Sequence, residues 1–146
     1  MSPESRHDID ALNRLIARLH GAAAGYRKAG ADGPGLSDVF EAAAGAHDLT
    51  AERLAQEVRS LGGEPASGGS DLSRHAWSEL PAAVARGEAA TAEAMERAEA
   101  ELLAEFQTVR DDGEVSGPVR DAVLRVFDVV KAGHDRALQR LDALGA

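Results

Sequence analysis

The sequence predicts an all-α fold, an antiparallel bundle of four long helices in a single domain spanning residues 1–146. Apolar residues recur at three- and four-residue spacing over four long stretches, and little between them alternates as a strand would. Aromatic residues make up only 3% of a chain that is 44% hydrophobic, so Ala and Leu must fill the core. Small and aliphatic side chains suit closely spaced helices better than a β-sandwich. The length, 146 residues, is enough to bury most of the apolar surface around one core.

The first helix is expected over about residues 3–29. Ser2 is a suitable N-cap and Pro3 a suitable first helical residue, because the ring pre-sets φ and the missing N–H is not needed there. Its stripe is Leu12, Ile16, Leu19, Ala23 and Tyr26, and GADGPG over residues 30–35 ends it. Ser37 or Asp38 caps a second helix over about 37–61, with Phe40, Ala44, His47, Ala51, Leu54, Val58 and Leu61 on one face. The third long helix, about 88–110, carries Ala92, Met95, Glu99, Leu102, Phe106 and Val109. DDGEVSGP breaks it, and a fourth follows over about 118–144 with Val123, Phe127, Val130, His134, Ala137, Leu141 and Leu144.

Short loops join the first helix to the second and the third to the fourth, as antiparallel neighbours require. The connection over residues 63–87 is far longer than a turn needs. GEPASGGS within it is loop, and residues 71–86 can form a short helix carrying Trp77. Two helical hairpins joined by one long, partly helical crossover is the ferritin-like arrangement. An internal echo agrees: VFEAAAGAHD (39–48) returns 87 residues later as VFDVVKAGHD (126–135). The second and fourth helices would be equivalent in a bundle built from two hairpins.

LGGEPASGGS (61–70), SRHAW (73–77), ERAEAELLAEF (96–106) and AGHDRALQRL (132–141) together resemble, in order and spacing, a bacterial ferritin-like four-helix-bundle family of unknown function. The resemblance covers nearly the whole chain from about Asp8. It implies the fold and a cytosolic bacterial setting, and it implies no established reaction.

Charged residues are 28% of the chain and the net charge is −9, which repels phosphate backbones and anionic lipid. Nucleic-acid and membrane partners are therefore not expected, and the cytoplasm is the expected location, since no apolar run approaches the ~20 residues of a membrane span. Cysteine is absent, which excludes disulfides and thiolate metal sites. GGEPASGGS lacks the lysine of a phosphate-binding loop, and no G-x-S-x-G elbow occurs.

A ferritin-like di-iron site takes Glu from two helices and Glu-x-x-His from the other two. His47 and His134 lie on the apolar stripes, but three residues before them stand Ala44 and Lys131. Between Asp10 and Asp32 the first helix carries no acid at all. An intact di-iron enzyme is not expected. His47, His134 and Glu99 can still meet at one level of the bundle. One reading is a buried hydrogen-bonded cluster in which Glu99 accepts from a histidine or from Lys131. The alternative is one divalent ion, such as iron, zinc or manganese, held by two imidazoles and a carboxylate.

The remaining candidates read as structure. Glu41 and Asp48, and likewise Asp128 and Asp135, are seven residues apart and form a solvated flank, about 10 Å being too far for one ion. His20 reads as a position at the edge of the core, the alternative being an inward ligand beside Tyr26; His7 lies near the terminus and is expected to be exposed, and His75 with Trp77 docks the crossover. Gly45 and Gly133 suggest close packing or room for the imidazoles. The expected function is that of a non-enzymatic bundle, an accessory or stress-associated bacterial protein acting through its acidic surface or by self-association, a homodimer included. The alternative is a degenerate metalloprotein with the single ion.

Overall fold

The structure is a computed structural model that describes residues 2–32, 37–67 and 76–143. Among these residues it is all-helical, with five α-helices and no strand. The helices are α1 (Pro3–Asp32), α2 (Ser37–Ser60), α3 (Leu80–Ala85), α4 (Glu88–Arg110) and α5 (Gly117–Ala143), and a 3-10 turn, Ala76–Glu79, leads into α3. The four long helices agree with the sequence boundaries within a few residues. The tip of the first loop (33–36), residues 68–75 with His75, and Leu144 lie outside the described residues, as do the side chains of Ala137 and Leu141.

Local signals account for the helix ends. Ser2 accepts the backbone N–H of Ser5 on its hydroxyl at 3.1 Å, with Pro3 as first residue, so the expected cap forms. Gly62 adopts a left-handed φ of 82° just beyond α2. There the N–H groups of Gly62 and Gly63 reach back to the carbonyls of Arg59 (2.9 Å) and Val58 (3.0 Å), using up two acceptors that the helix end leaves free.

Two antiparallel hairpins carry most of the packing, α1 with α2 and α4 with α5. In the first, Tyr26 meets Phe40 and Arg27 meets Glu41, while farther along His20 meets Asp48. The hairpins touch each other more thinly, α2 on α5 and α1 on α4, and α3 fills in between α1 and α4. One core runs through both, with Leu12, Leu15, Ile16, Leu19, Phe40, Leu54, Leu102 and Phe106 at most 2% exposed. Burying each such side chain fully is worth about 1.5–3 kcal/mol.

Polar clamps fix the connections. Asn13 donates to the carbonyl of Glu64 (3.0 Å) and accepts from the N–H of Ala66 (2.8 Å), holding the start of the crossover on α1. At the other end, buried Asp8 accepts the N–H of Ser116, and Arg120 donates to the carbonyls of Arg110, Asp112 and Val115. The carbonyls at the end of α4 thus gain a cation, the favourable sign for a helix C-terminus. No helix among the described residues is long and apolar enough to cross a membrane.

Candidate functional site

Glu99 is the centre of a deeply buried polar cluster. It projects from α4 at 2% exposure into a core where a lone carboxylate would cost several kcal/mol. Two donors offset that cost at a single oxygen. The Tyr26 hydroxyl donates to Oε1 at 2.6 Å, and Nε2 of His47 lies 3.0 Å from the same atom. Burial first, and the neighbouring carboxylate second, push the Tyr26 phenol well above its ordinary range, so it remains a donor. With the phenol donating, His47 is satisfied as the Nε2–H tautomer. Oε2 of Glu99 has no hydrogen-bond partner among the described residues.

Aromatic rings wall the cluster. The chain has one Trp, one Tyr and three Phe, and two of these five, Tyr26 and Trp77, pack on His47. Tyr26 stacks on His47 at 5.9 Å between centroids, and Trp77 stands edge-on to Tyr26 at 4.8 Å and to His47 at 6.1 Å. Phe40 closes on Tyr26 at 5.5 Å. Trp77 is 4% exposed and docks the crossover on α1 as expected, with its Cβ 3.1 Å from where a Cβ on Gly25 would stand. A Cβ at Gly25 would require Trp77 to give way by a few tenths of an ångström.

Above the cluster opens a cavity of about 660 Å³ between α2 and α5. Glu99, Tyr26 and His47 lie at its base, Ala42, Ala46, Met95 and Val129 among its walls, and Arg136 and Gln139 on α5 also line it. Val39 and Val129, 41% and 39% exposed, both border this opening.

The structure brings His47 and Glu99 together, and it engages His134 elsewhere. Nε2 of His134 lies 3.1 Å from Oε1 of Glu96, one turn before Glu99, at the half-buried rim. Lys131 does not reach Glu99; its ammonium is exposed and pairs with Asp135 at 3.6 Å. Among the described residues, the one group of three or more His, Asp or Glu residues with ligand atoms all within 4.8 Å of one another is His7, Asp112 and Glu114, at the opposite end of α1. His7 is half-buried there, its pKa raised chiefly by the hydrogen bond to Asp112. The backbone N–H of Glu114, then His7, holds Asp112 low. Glu41 and Asp48 form an exposed flank, and the Arg27 guanidinium spans the two acids, donating to Glu41 at 3.1 Å and Asp48 at 2.7 Å. Those two hydrogen bonds raise its pKa further. His20 sits at the α1–α2 boundary, 3.3 Å from Asp48. Gly45 is exposed with nothing near it, so it makes no room for an imidazole. Gly133 does adjoin the cluster, since a Cβ there would stand 3.4 Å from Oε2 of Glu99, an ordinary contact distance.

Sequence reasoning assigned Tyr26 to the core stripe and missed its hydroxyl as the main donor to Glu99. The signal was present: this sole tyrosine ends an otherwise aliphatic stripe, and a buried phenol needs an acceptor. Arg136 and Glu96 carried no comparable signal.

Residues 7–112 match the family described as a domain of unknown function (DUF2383). The match takes in the aromatic-walled cluster from Tyr26 to Glu99, and the chain belongs to that family. No curated protein and no solved structure matches it.

Proposed function

We propose that this protein is a non-enzymatic binding protein, built as a ferritin-like four-helix bundle, that holds a small organic ligand in the cavity between α2 and α5. The observation that carries this reading is the second oxygen of Glu99, buried without a partner at the base of that opening. Leaving such an atom unpaired costs about 1–3 kcal/mol, which a ligand donor would recover. Apolar walls with a few convergent polar groups are what small-molecule sites share. The cytosolic bacterial setting comes from the family resemblance, and the accessory or stress-associated role from the missing di-iron ligand set in an otherwise coherent core. Ala44 and Lys131, standing where a di-iron site needs carboxylates, argue against ferroxidase chemistry.

A second reading has one observation in its favour. Nε2 of His47 and Oε1 of Glu99 are 3.0 Å apart, a separation two ligands of one divalent ion would also show. His134 would have to exchange Glu96 for the ion.

The test is binding of an environment-sensitive, uncharged apolar dye such as Nile red, beside the variant Ala46→Phe, which fills the opening. The binding reading expects saturable dye fluorescence that Ala46→Phe removes while the circular dichroism is unchanged. Dye binding indifferent to Ala46→Phe would overturn it. Stoichiometric metal in untagged protein, lost in His47→Ala, would favour the second reading.

A further inference from the structure

The ligand class can be read from the charges at the base of the cavity, on the assumption that the cavity binds at all. We infer that it recognises an α-ammonium group flanked by a carbonyl or carboxylate oxygen and bearing an apolar side chain, as in a free apolar amino acid or the first residue of a peptide.

Oε1 of Glu99 already accepts from Tyr26 and His47, whereas Oε2 accepts from nothing. The missing partner is therefore a donor. On the α5 side the gap is the one that Gly133 leaves by having no side chain. The position of a Cβ there is 3.4 Å from Oε2 of Glu99 and 3.8 Å from Nη2 of Arg136. A carboxylate oxygen and a guanidinium thus flank one small space with opposite charge. A simple anion would be opposed by Glu99, and a bare cation by Arg136. A head group with an ammonium beside an oxygen acceptor meets both, the ammonium on Glu99 and the oxygen on Arg136. Val39, Ala42, Ala46, Met95 and Val129 then receive an aliphatic side chain. At about 660 Å³ the cavity holds more than one residue, so a peptide N-terminus is accommodated as well as a free amino acid.

Calorimetric titration with four probes tests this: leucinamide, leucine, the tripeptide Leu-Gly-Gly and N-acetyl-leucinamide. Leucinamide is expected to bind, and N-acetyl-leucinamide, which lacks the ammonium, to bind at least roughly tenfold more weakly, the worth of one charge-assisted hydrogen bond. Glu99→Gln should weaken leucinamide to a similar degree, and the acetylated probe reports on the wild-type protein whether or not that variant folds. Tighter binding of leucine than of Leu-Gly-Gly assigns the site to free amino acids, with Arg136→Ala removing the preference; the reverse order assigns it to peptide N-termini. Equal binding of leucinamide and its acetylated form overturns the inference. So does failure of every ammonium probe to displace the apolar dye. If Ala46→Phe still excludes the dye in that case, the binding reading stands and only the ligand class falls.

Discussion

Residues 39–48 and 126–135 are near-copies in sequence that play different parts in the structure. In the first copy Phe40 is fully buried and Val39 is 41% exposed; in the second Phe127 is only half-buried and Val126 is 3% exposed. Phe127 serves instead as a platform for the Arg110 guanidinium, 5.0 Å from its ring centre. The core side of α5 runs Val119, Val123, Val126 and Val130, so it is displaced by one residue, roughly 100° of helix rotation, from the face the echo suggests. That rotation separates the histidines. His47 lands on Glu99 at 6% exposure, and His134 lands at the rim on Glu96. A repeated word fixes a register along the helix, while neighbouring side chains decide which way it faces. The β-branched run of α5 has apolar residues on two adjacent faces, and the valine side won.

The most forceful way to break this comparison is to exchange the residues three before each histidine. Ala44 is fully buried, whereas Lys131 is exposed beside Asp135. Ala44→Lys would bury an unpaired ammonium and should cost about 3–5 kcal/mol, lowering Tm by on the order of 10 °C. Lys131→Ala should change stability by no more than about 0.5 kcal/mol. Urea denaturation of both variants reads the difference. Equal effects would mean that the two helices present equivalent faces after all.

The four long helices were legible because their signals are local and redundant. Ser2-Pro3 starts α1, the Gly62-Gly63 pair ends α2, and both act through backbone geometry that needs no partner. The His47–Glu99 contact was also legible, since each sits on an unbroken apolar stripe and a buried imidazole and carboxylate seek each other. The fate of His134 was not, because it depends on the rotation of α5, set by Val126 and Val130 rather than by anything near the histidine. The same holds for Lys131: spacing placed it close to Glu99, but Asp135, one turn on, holds its ammonium outward. His7 was expected to be exposed; its partner Asp112 is 105 residues away, and sequence spacing says nothing of that.

A smaller effect separates the two histidine–carboxylate pairs. Glu99→Ala would strand the Tyr26 hydroxyl and His47 without their acceptor in the core and should cost on the order of 3 kcal/mol. Glu96→Ala removes the partner of half-buried His134, where water can replace it, and should cost under about 1 kcal/mol. Denaturant midpoints at neutral pH measure both. A Glu96 variant as unstable as the Glu99 variant would place the second pair in the core too.

The smallest effect isolates the phenol, and the chain offers a direct reading because Tyr26 is its only tyrosine. Tyr26→Phe keeps the ring packed among Phe40, His47 and Trp77 but leaves Glu99 with one donor, a loss of about 1 kcal/mol. The same bond makes stability depend on alkaline pH. The folded-state pKa of Tyr26 is raised above the ordinary value, so between the two values the native state holds a proton that the unfolded chain has released. This contribution is fully present below the ordinary tyrosine range and is lost as pH climbs above it toward the folded value. Absorbance at 295 nm should therefore show no ionisation where a free tyrosine titrates, and phenolate should emerge only as the circular dichroism reports unfolding. In Glu99→Gln the carboxylate's contribution is removed, so ionisation should begin at lower pH than in the wild type while burial still holds it above the ordinary range. Ionisation of the wild-type phenol at its ordinary pH with the helices intact would mean that Tyr26 is neither buried nor bonded to Glu99. Among the described residues His47 would then be the one donor left to the Glu99 carboxylate.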